Sequence, residues 1–281
     1  MPRRGTDSIG GKDGIAMWKY LDRKLRPAVW QGGRPPFFEG WYYKVQAPDG
    51  NIFCAIPGVS LQKNDPHCFI QLMDGGRSRY LRYRTGAFHA ATECLEVRIG
   101  DSVFTEKGLH LRTHIMQADI LFSSPVPYSA HRHTLGIMGP FALLPGLECR
   151  HGVILADCRA QGRIQTGAGE RTFSDGRGYV EKDWGHSFPH SYVWCQAFLE
   201  DGASFMLSAA TVPLGGRLMR GLIAFLHTRE GWSKWATYAG ARVLTSLHRA
   251  DSLTLRVAAP GSRLGLTLWP GGENPLAAPI A

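Results

Sequence analysis

The stretch Gly40–Gly58, GWYYKVQAPDGNIFCAIPG, decides the fold. Two runs rich in aromatic and aliphatic residues flank Pro48-Asp49-Gly50. Pro fixes one backbone angle, Asp bonds its own backbone, and Gly accepts the positive φ of a tight turn, so the stretch predicts a β-hairpin. The same style continues along the chain: HCFIQLMDGG from His67, CLEVRIGDSVFTEKGLHLRTHIMQADILF from Cys94, GVILADCRAQGRIQ from Gly152, RGLIAFLHTREGWSKWATYAG from Arg220 and SLTLRVAAPGSRLGLTLW from Ser252. Short strand-like runs broken by Gly, Pro, Asp and Asn, with almost no long helical period, argue an all-β chain of sandwich or barrel type. One echo sharpens this. WCQAFLEDGASFMLSAA, starting at Trp194, repeats the order of aromatic strand, Asp-Gly turn and second strand that starts at Trp41, which points to two similar antiparallel halves.

Outside the hairpins the chain begins with a Gly-rich tail. IAMWKYLDRKLRP, from Ile15 to Pro27, then reads as a short basic amphipathic helix that Pro27 ends. Such a helix can touch a membrane surface, although packing on its own barrel is the favoured reading. The expected organisation is a tail and helix over residues 1–29, a first β domain over 30–145 and a second over 146–281.

The 281 residues are enough for two domains with real cores, and 44% hydrophobic with 20% charged residues is a folded composition. The longest apolar run, Gly136–Leu147, is broken by Pro140 and Pro145 and falls short of the ~20 residues of a membrane span. The first residues carry no apolar signal core, so a cytoplasmic protein, with peripheral membrane contact left open, is expected. Cys54, Cys68, Cys94, Cys149, Cys158 and Cys195 form no CxxC pair and read as small hydrophobes rather than a disulfide framework. The net charge of +9 is scattered, apart from RSRYLRYR at Arg77–Arg84; with no recognition motif beside it, this reads as an Arg-rich strand face and not a nucleic-acid surface.

Two clusters bear chemistry. Glu39 stands beside Trp41 and Tyr42 in FFEGWYYK, and Glu181, Lys182, Asp183 and His186 are packed among aromatics in GYVEKDWGHSFPHSYVWCQAF from Gly178. A carboxylic acid walled by aromatic rings has its pKa raised and stays protonated near neutrality, as a general acid must. Alternate side chains of a strand face opposite ways, so Glu181 and Asp183 share one face and Lys182 takes the other. The structural alternative is a buried ion pair of Glu181 and Lys182 that locks the two halves together. His110 with His114, and His131 with His133, are weaker candidates for a metal, lacking a third ligand at motif spacing. GDSV, from Gly100 to Val103, lacks a nucleophile elbow, and no nucleotide-binding loop is present.

In order, PPFFEGWYYKV, AIPGVSLQKNDPHCFIQ, GIMG, LECRHGV, GYVEKDWGHSFPHSYVWCQAF and IAFLHTREGWSKWATYAGAR resemble the blocks of the tocopherol cyclase family, from about Pro27 to Pro260. The resemblance implies a calycin-type fold with lipocalin-like antiparallel β-barrel halves, an isoprenoid ligand and no redox cofactor. It implies closure of a chromanol ring on a prenylated hydroquinone, with a carotenoid-type hydratase or a non-catalytic lipid carrier as the alternatives. Closing that ring requires protonating an alkene so that the phenol oxygen captures the tertiary cation. The candidate donors are Asp183 or Glu181, with Glu39 as the alternative; His186 or His67 would take the phenolic proton. Trp41, Tyr42, Trp184, Phe188 and Trp194 would face the cation and the chain, and Lys182 and Gln196 would stand near the quinol oxygens; no metal is expected. Family chains continue with further strands where this one has ENPLAAPIA, so the second half is expected either to lack its last strands or to close its barrel differently.

Overall fold

The computed structural model describes residues 22–129, 133–214 and 217–269. The Gly40–Gly58 stretch forms the expected hairpin, β1 (Phe38–Gln46) and β2 (Ile52–Ser60). Gly50 takes φ of +83° in the turn, and the Asn51 amide donates to Asp49 Oδ1 at 3.0 Å. The strands that follow are β3 (His67–Asp74), β4 (Arg77–Tyr83), β5 (Phe88–Ala90), β6 (Glu96–Ile99), β7 (Ser102–Thr105), β8 (Gly108–Arg112), β9 (Met116–Pro127), β10 (Cys149–Thr166) and β11 (Gly169–Gly185). All eleven join one antiparallel sheet in the order β4-β3-β2-β1-β11-β10-β9-β8-β7-β6-β5. The sheet therefore runs on past residue 145, and the long strands β10 and β11 close the circuit back to β1. It curls until β6 packs against β2 and β3 around a single apolar core.

A second sheet, β12 (Ser191–Phe198), β13 (Ser204–Leu214), β14 (Arg217–Thr228) and β15 (Gly231–Ala236), follows in simple meander order. Its first turn repeats that of the first hairpin. Gly202 takes φ of +85°, and the Ala203 amide donates to Asp201 Oδ1 at 2.9 Å, so the sequence echo is an echo of structure. A third, small sheet of β16 (Arg242–His248), β17 (Leu253–Ala259) and β18 (Ser262–Leu268) packs its inner face on β12–β15 through Leu255 and Val257. The expected N-terminal helix is seen only in its last turn, residues 22–25; its earlier residues lie outside those described. All six cysteines are free.

The strand pair β1–β11 is covered on both faces, which is why neither strand shows a clean hydrophobic-polar alternation in sequence. Trp41 opposes Lys182 and Tyr43 opposes Val180 on the barrel side, whereas Tyr42 opposes Glu181 and Lys44 opposes Tyr179 on the side of the second sheet. Trp41, Tyr43 and Val45 enter the barrel core with Phe53, Ile70 and Ile120, each fully buried side chain contributing about 1.5–3 kcal/mol. The N-terminal segment lies close on β10: a Cβ at Gly152 would stand 2.4 Å from Pro27, so only glycine admits that approach.

Candidate active site

Between the first and second sheets lies a cavity of about 940 Å³, at the upper end of the range for ligand pockets. Its walls are mostly apolar: Phe38, Ile56 and Phe69 from the first sheet, Val212 and Ile223 from the second, with Phe188 and Phe141 nearer the rim. Tyr42 and Trp194 meet edge to face with ring centres 5.2 Å apart at its base. Polar groups converge on one wall, where β10 and β11 run side by side. His151 opposes Asp183 directly, Val153 opposes Glu181, and all three titratable groups point into the cavity.

One hydrogen bond and one looser ion-pair contact, in which His151 Nε2 makes no hydrogen bond, join these three. His151 Nδ1 lies 2.8 Å from Asp183 Oδ1, and His151 Nε2 lies 3.3 Å from Glu181 Oε2. The Tyr179 hydroxyl donates to Glu181 Oε2 at 2.5 Å, and the Trp194 indole N–H donates to the same oxygen at 3.3 Å. Burial disfavours the Glu181 carboxylate and pushes its pKa up to about 7, against the pull of His151 and its two donors. Burial works against charge on His151 as well, but the carboxylates on either side outweigh it and raise the imidazole to about 9. Asp183 is the most open member, its side chain 32% exposed against 4% for Glu181. The cluster thus runs from Asp183 at the open side, through an imidazole whose pKa its two acidic neighbours raise, to a buried acid whose burial favours its protonated form.

His151, Glu181 and Asp183 offer ligand atoms within 4.8 Å of one another, and one imidazole with two carboxylates is a donor set that suits a divalent ion. As it stands the arrangement is bonded to itself: Nδ1 is spent on Asp183, and Glu181 Oε2 accepts two hydrogen bonds. An ion would have to displace those contacts.

The remaining candidates divide by face. His186 and Phe188 line the cavity beside the cluster, with Phe188 stacked on Phe38 at 4.6 Å. Glu39, Trp41, Lys182 and Trp184 lie on the opposite side of β1–β11 and do not meet the cavity. Lys182 Nζ donates to Glu39 Oε1 at 2.6 Å and to the Val29 carbonyl at 2.7 Å, with the Trp184 ring 4.5 Å and the Trp41 ring 5.2 Å from it. The Gln31 and Gly32 amides complete the shell around Glu39. The expected Glu181–Lys182 pair does not form, because the two side chains take opposite faces of β11; the buried pair is Lys182–Glu39, and it ties residues 29–32 to the first sheet rather than one half to the other. His67 is held by the Tyr80 hydroxyl at 2.8 Å and the Asp65 carbonyl at 2.9 Å, outside the cavity lining. Gln196 sits one step below Trp194 on β12, buried and beyond the lining.

Other sequence signals resolve into structure. His110 pairs with Asp119 at 2.6 Å in a cluster shared with Arg112 and Arg163, while His131 lies outside the described residues. Ser102 of GDSV clasps the backbone of Arg112. Arg82 of the basic run pairs with Asp65, and β4 is an edge strand, where exposed charge deters pairing with other chains. His151 was missed by the reading of the sequence. Its only local signal is a polar residue at the cavity-facing beat of CRHGVIL, in register with Cys149 and Val153, and that gains meaning only once β10 is paired with β11.

Residues 123–224 match the model of the tocopherol cyclase-like family. No curated protein matches the chain in sequence. Among solved structures the chain is similar to one assigned as AttH from Nitrosomonas europaea, with 15% identity over 85% of each chain and a TM-score of 0.52. It is also similar to CghA in complex with Sch210972, with 11% identity over 84% of this chain and 76% of that one and a TM-score of 0.60. Kievitone hydratase from Nectria haematococca aligns at 8% identity over 92% and 80%, with a TM-score of 0.46. The first two are likenesses of fold, and they agree with the lipocalin-like β architecture expected from the sequence. The family resemblance is borne out where the chemistry lies, for the segment of residues 123–224 that carries His151, Glu181, Asp183 and Trp194 matches the tocopherol cyclase-like family.

Proposed function

We propose that this chain is an enzyme that protonates an alkene of a prenylated hydroquinone or related isoprenoid lipid and closes a chromanol-type ring. The observation that carries the reading is the proton-holding cluster Asp183–His151–Glu181 at the polar wall of a large apolar cavity. Glu181, protonated, gives its proton to the less substituted alkene carbon, and the tertiary cation forms against the faces of Tyr42 and Trp194. Each desolvated ring contributes about 1–2 kcal/mol to that cation. The phenol oxygen attacks the cation, and its proton leaves to Asp183, the open carboxylate.

The same cluster then resets the site. His151 Nε2 returns a proton to Glu181 and takes one back from solvent, while Asp183, the more open carboxyl, gives the phenolic proton up to solvent, so one turnover has no net gain or loss of protons. Substrate and product are isomers, so the step needs no oxidant or reductant. Glu39 takes no part, because Lys182 holds it on the far side of the sheet; in place of His67, Asp183 and His151 serve as acceptor and relay.

The test is incubation with a prenylated hydroquinone in deuterated water, followed by mass spectrometry of the extracted lipid. A cyclised product with one carbon-bound deuterium is expected. A gain of water without a ring would assign the same proton donor to a hydratase, and unchanged lipid that co-purifies with the chain would make it a carrier.

A further inference from the structure

Beneath the base of the cavity lie two buried polar side chains, Lys44 and Gln196, that the proton cycle does not use. Two rows of side chains descend toward them from the cavity: Phe38, Gly40 and Tyr42 along β1, whose next member is Lys44, and Tyr192 and Trp194 along β12, whose next member is Gln196. Tyr192 is 56% exposed and Gln196 only 9%, so the rows run from rim to interior.

Lys44 is 6% exposed. Its Nζ donates to the Gln196 backbone carbonyl at 3.0 Å and lies 5.4 Å from the centre of the Phe198 ring, and among the described residues no carboxylate comes within 4.0 Å of it. Burial pulls its pKa down, and its surroundings include the Cys54 and Cys195 thiols, themselves pushed up to about 11 by burial. Neither the amide oxygen nor the amide nitrogen of Gln196 finds a hydrogen-bond partner. A buried ammonium without a counter-charge and a buried amide without partners are each costly, and a fold that keeps both side by side leaves them ready for a ligand that satisfies both. Both supply N–H donors. The aromatic pair Tyr42–Trp194 separates them from the cavity, Tyr42 being tethered to Cys54 Sγ at 3.1 Å and Trp194 to Glu181.

We propose that Lys44 and Gln196 form the inner, anion-binding end of the ligand site and take the carboxylate of a long apolar acid when the Tyr42–Trp194 pair parts. One ammonium among Phe198, Cys54 and Cys195 suits a monoanion on a hydrocarbon chain, since a phosphate would bring a second charge with nothing to meet it. The inference needs the cavity but not the proton cycle, so either can fail without the other.

Retinoic acid and retinol, which share a chain and differ in the head group, serve as probes, with binding read from quenching of tryptophan fluorescence. The acid is expected to bind about tenfold more tightly than the alcohol, a difference of about 1.4 kcal/mol. Lys44→Met should bring the two to parity while leaving retinol affinity unchanged, and Gln196→Leu should cut the preference several-fold. Equal affinity in the wild type, or a preference that survives Lys44→Met, overturns the proposal. Should Lys44→Met lose retinol as well, Gln196→Leu and Lys44→Arg decide: the first must weaken the preference and the second keep it. Glu181→Gln should keep the preference whatever becomes of turnover, which separates this site from the proton cycle.

Discussion

Glu39 and Glu181 stand on two neighbouring strands, both almost wholly buried, both within three residues of a tryptophan, and they do opposite things. Glu39 faces the barrel and meets an ammonium at 2.6 Å and two backbone amides. Burial raises its pKa and lowers that of Lys182 to about 8, the attraction between the two opposes both shifts, and the pair spends its chemistry on holding the chain. Glu181 faces the cavity. Its partners are a phenol, an indole and an imidazole that already serves a second carboxylate, and their pull is weaker than that of burial, so Glu181 holds near neutrality a proton it can give away. What separates a lock from an acid here is which face of one strand pair the side chain occupies.

The comparison can be broken most sharply at Glu181. Glu181→Gln should lower turnover of a prenylated hydroquinone by on the order of 10²- to 10⁴-fold while urea denaturation stays near wild type; a variant that keeps its rate removes Glu181 as the donor. The converse holds on the other face. Lys182→Met leaves a buried carboxylate unpaired and should cost about 3–5 kcal/mol in the same denaturation experiment, and adding Glu39→Leu should recover much of that loss. If Lys182→Met unfolds no more easily than wild type, the pair is no lock.

A smaller effect is expected from pH. The rate should fall as pH rises through about 7, where Glu181 loses its proton. Stability moves in the same direction. Both groups have folded pKa values raised above their ordinary 4.5 and 6.5, so their contribution is complete below those values and is lost as pH rises through about 7 for Glu181 and about 9 for His151. Glu181→Gln should flatten the lower part of that slope, and an unchanged slope would mean that the burial of Glu181 carries no proton linkage. The smallest change tests the indole. Trp194→Phe removes one donor that favours the Glu181 carboxylate and should shift the rate profile upward in pH by a fraction of a unit, with stability hardly altered; a downward shift would contradict the contact.

The hairpins were legible because Asp49-Gly50 and Asp201-Gly202 carry their turn chemistry locally. The shared face of Glu181 and Asp183 was legible too, because strand alternation needs only neighbours in sequence. The partners were not. That Lys182 reaches across to Glu39, that Trp41 and Trp184 turn to the barrel, and that His151 completes the cluster all depend on the register of β1, β10 and β11, set by segments far apart in the chain. Two strands buried on both faces look alike from either side in sequence, so the assignment of Trp41 and Trp184 to the ligand could not be made or refused from the residues alone.

The Lys182–Glu39 pair has a consequence for how the chain finds its fold. Slipping β11 by one residue against β1 would turn every side chain to the other face, putting Lys182 alone in the cavity and thrusting Glu181 and Asp183 against Trp41 in the barrel. Those three groups and Glu39, deprived of Lys182, would then be stranded at once, where the native pairing strands none of the four. The ion pair is thus a proofreading device: it makes the misaligned sheet far more costly than the aligned one and so guarantees that the acid arrives on the side where a ligand can reach it.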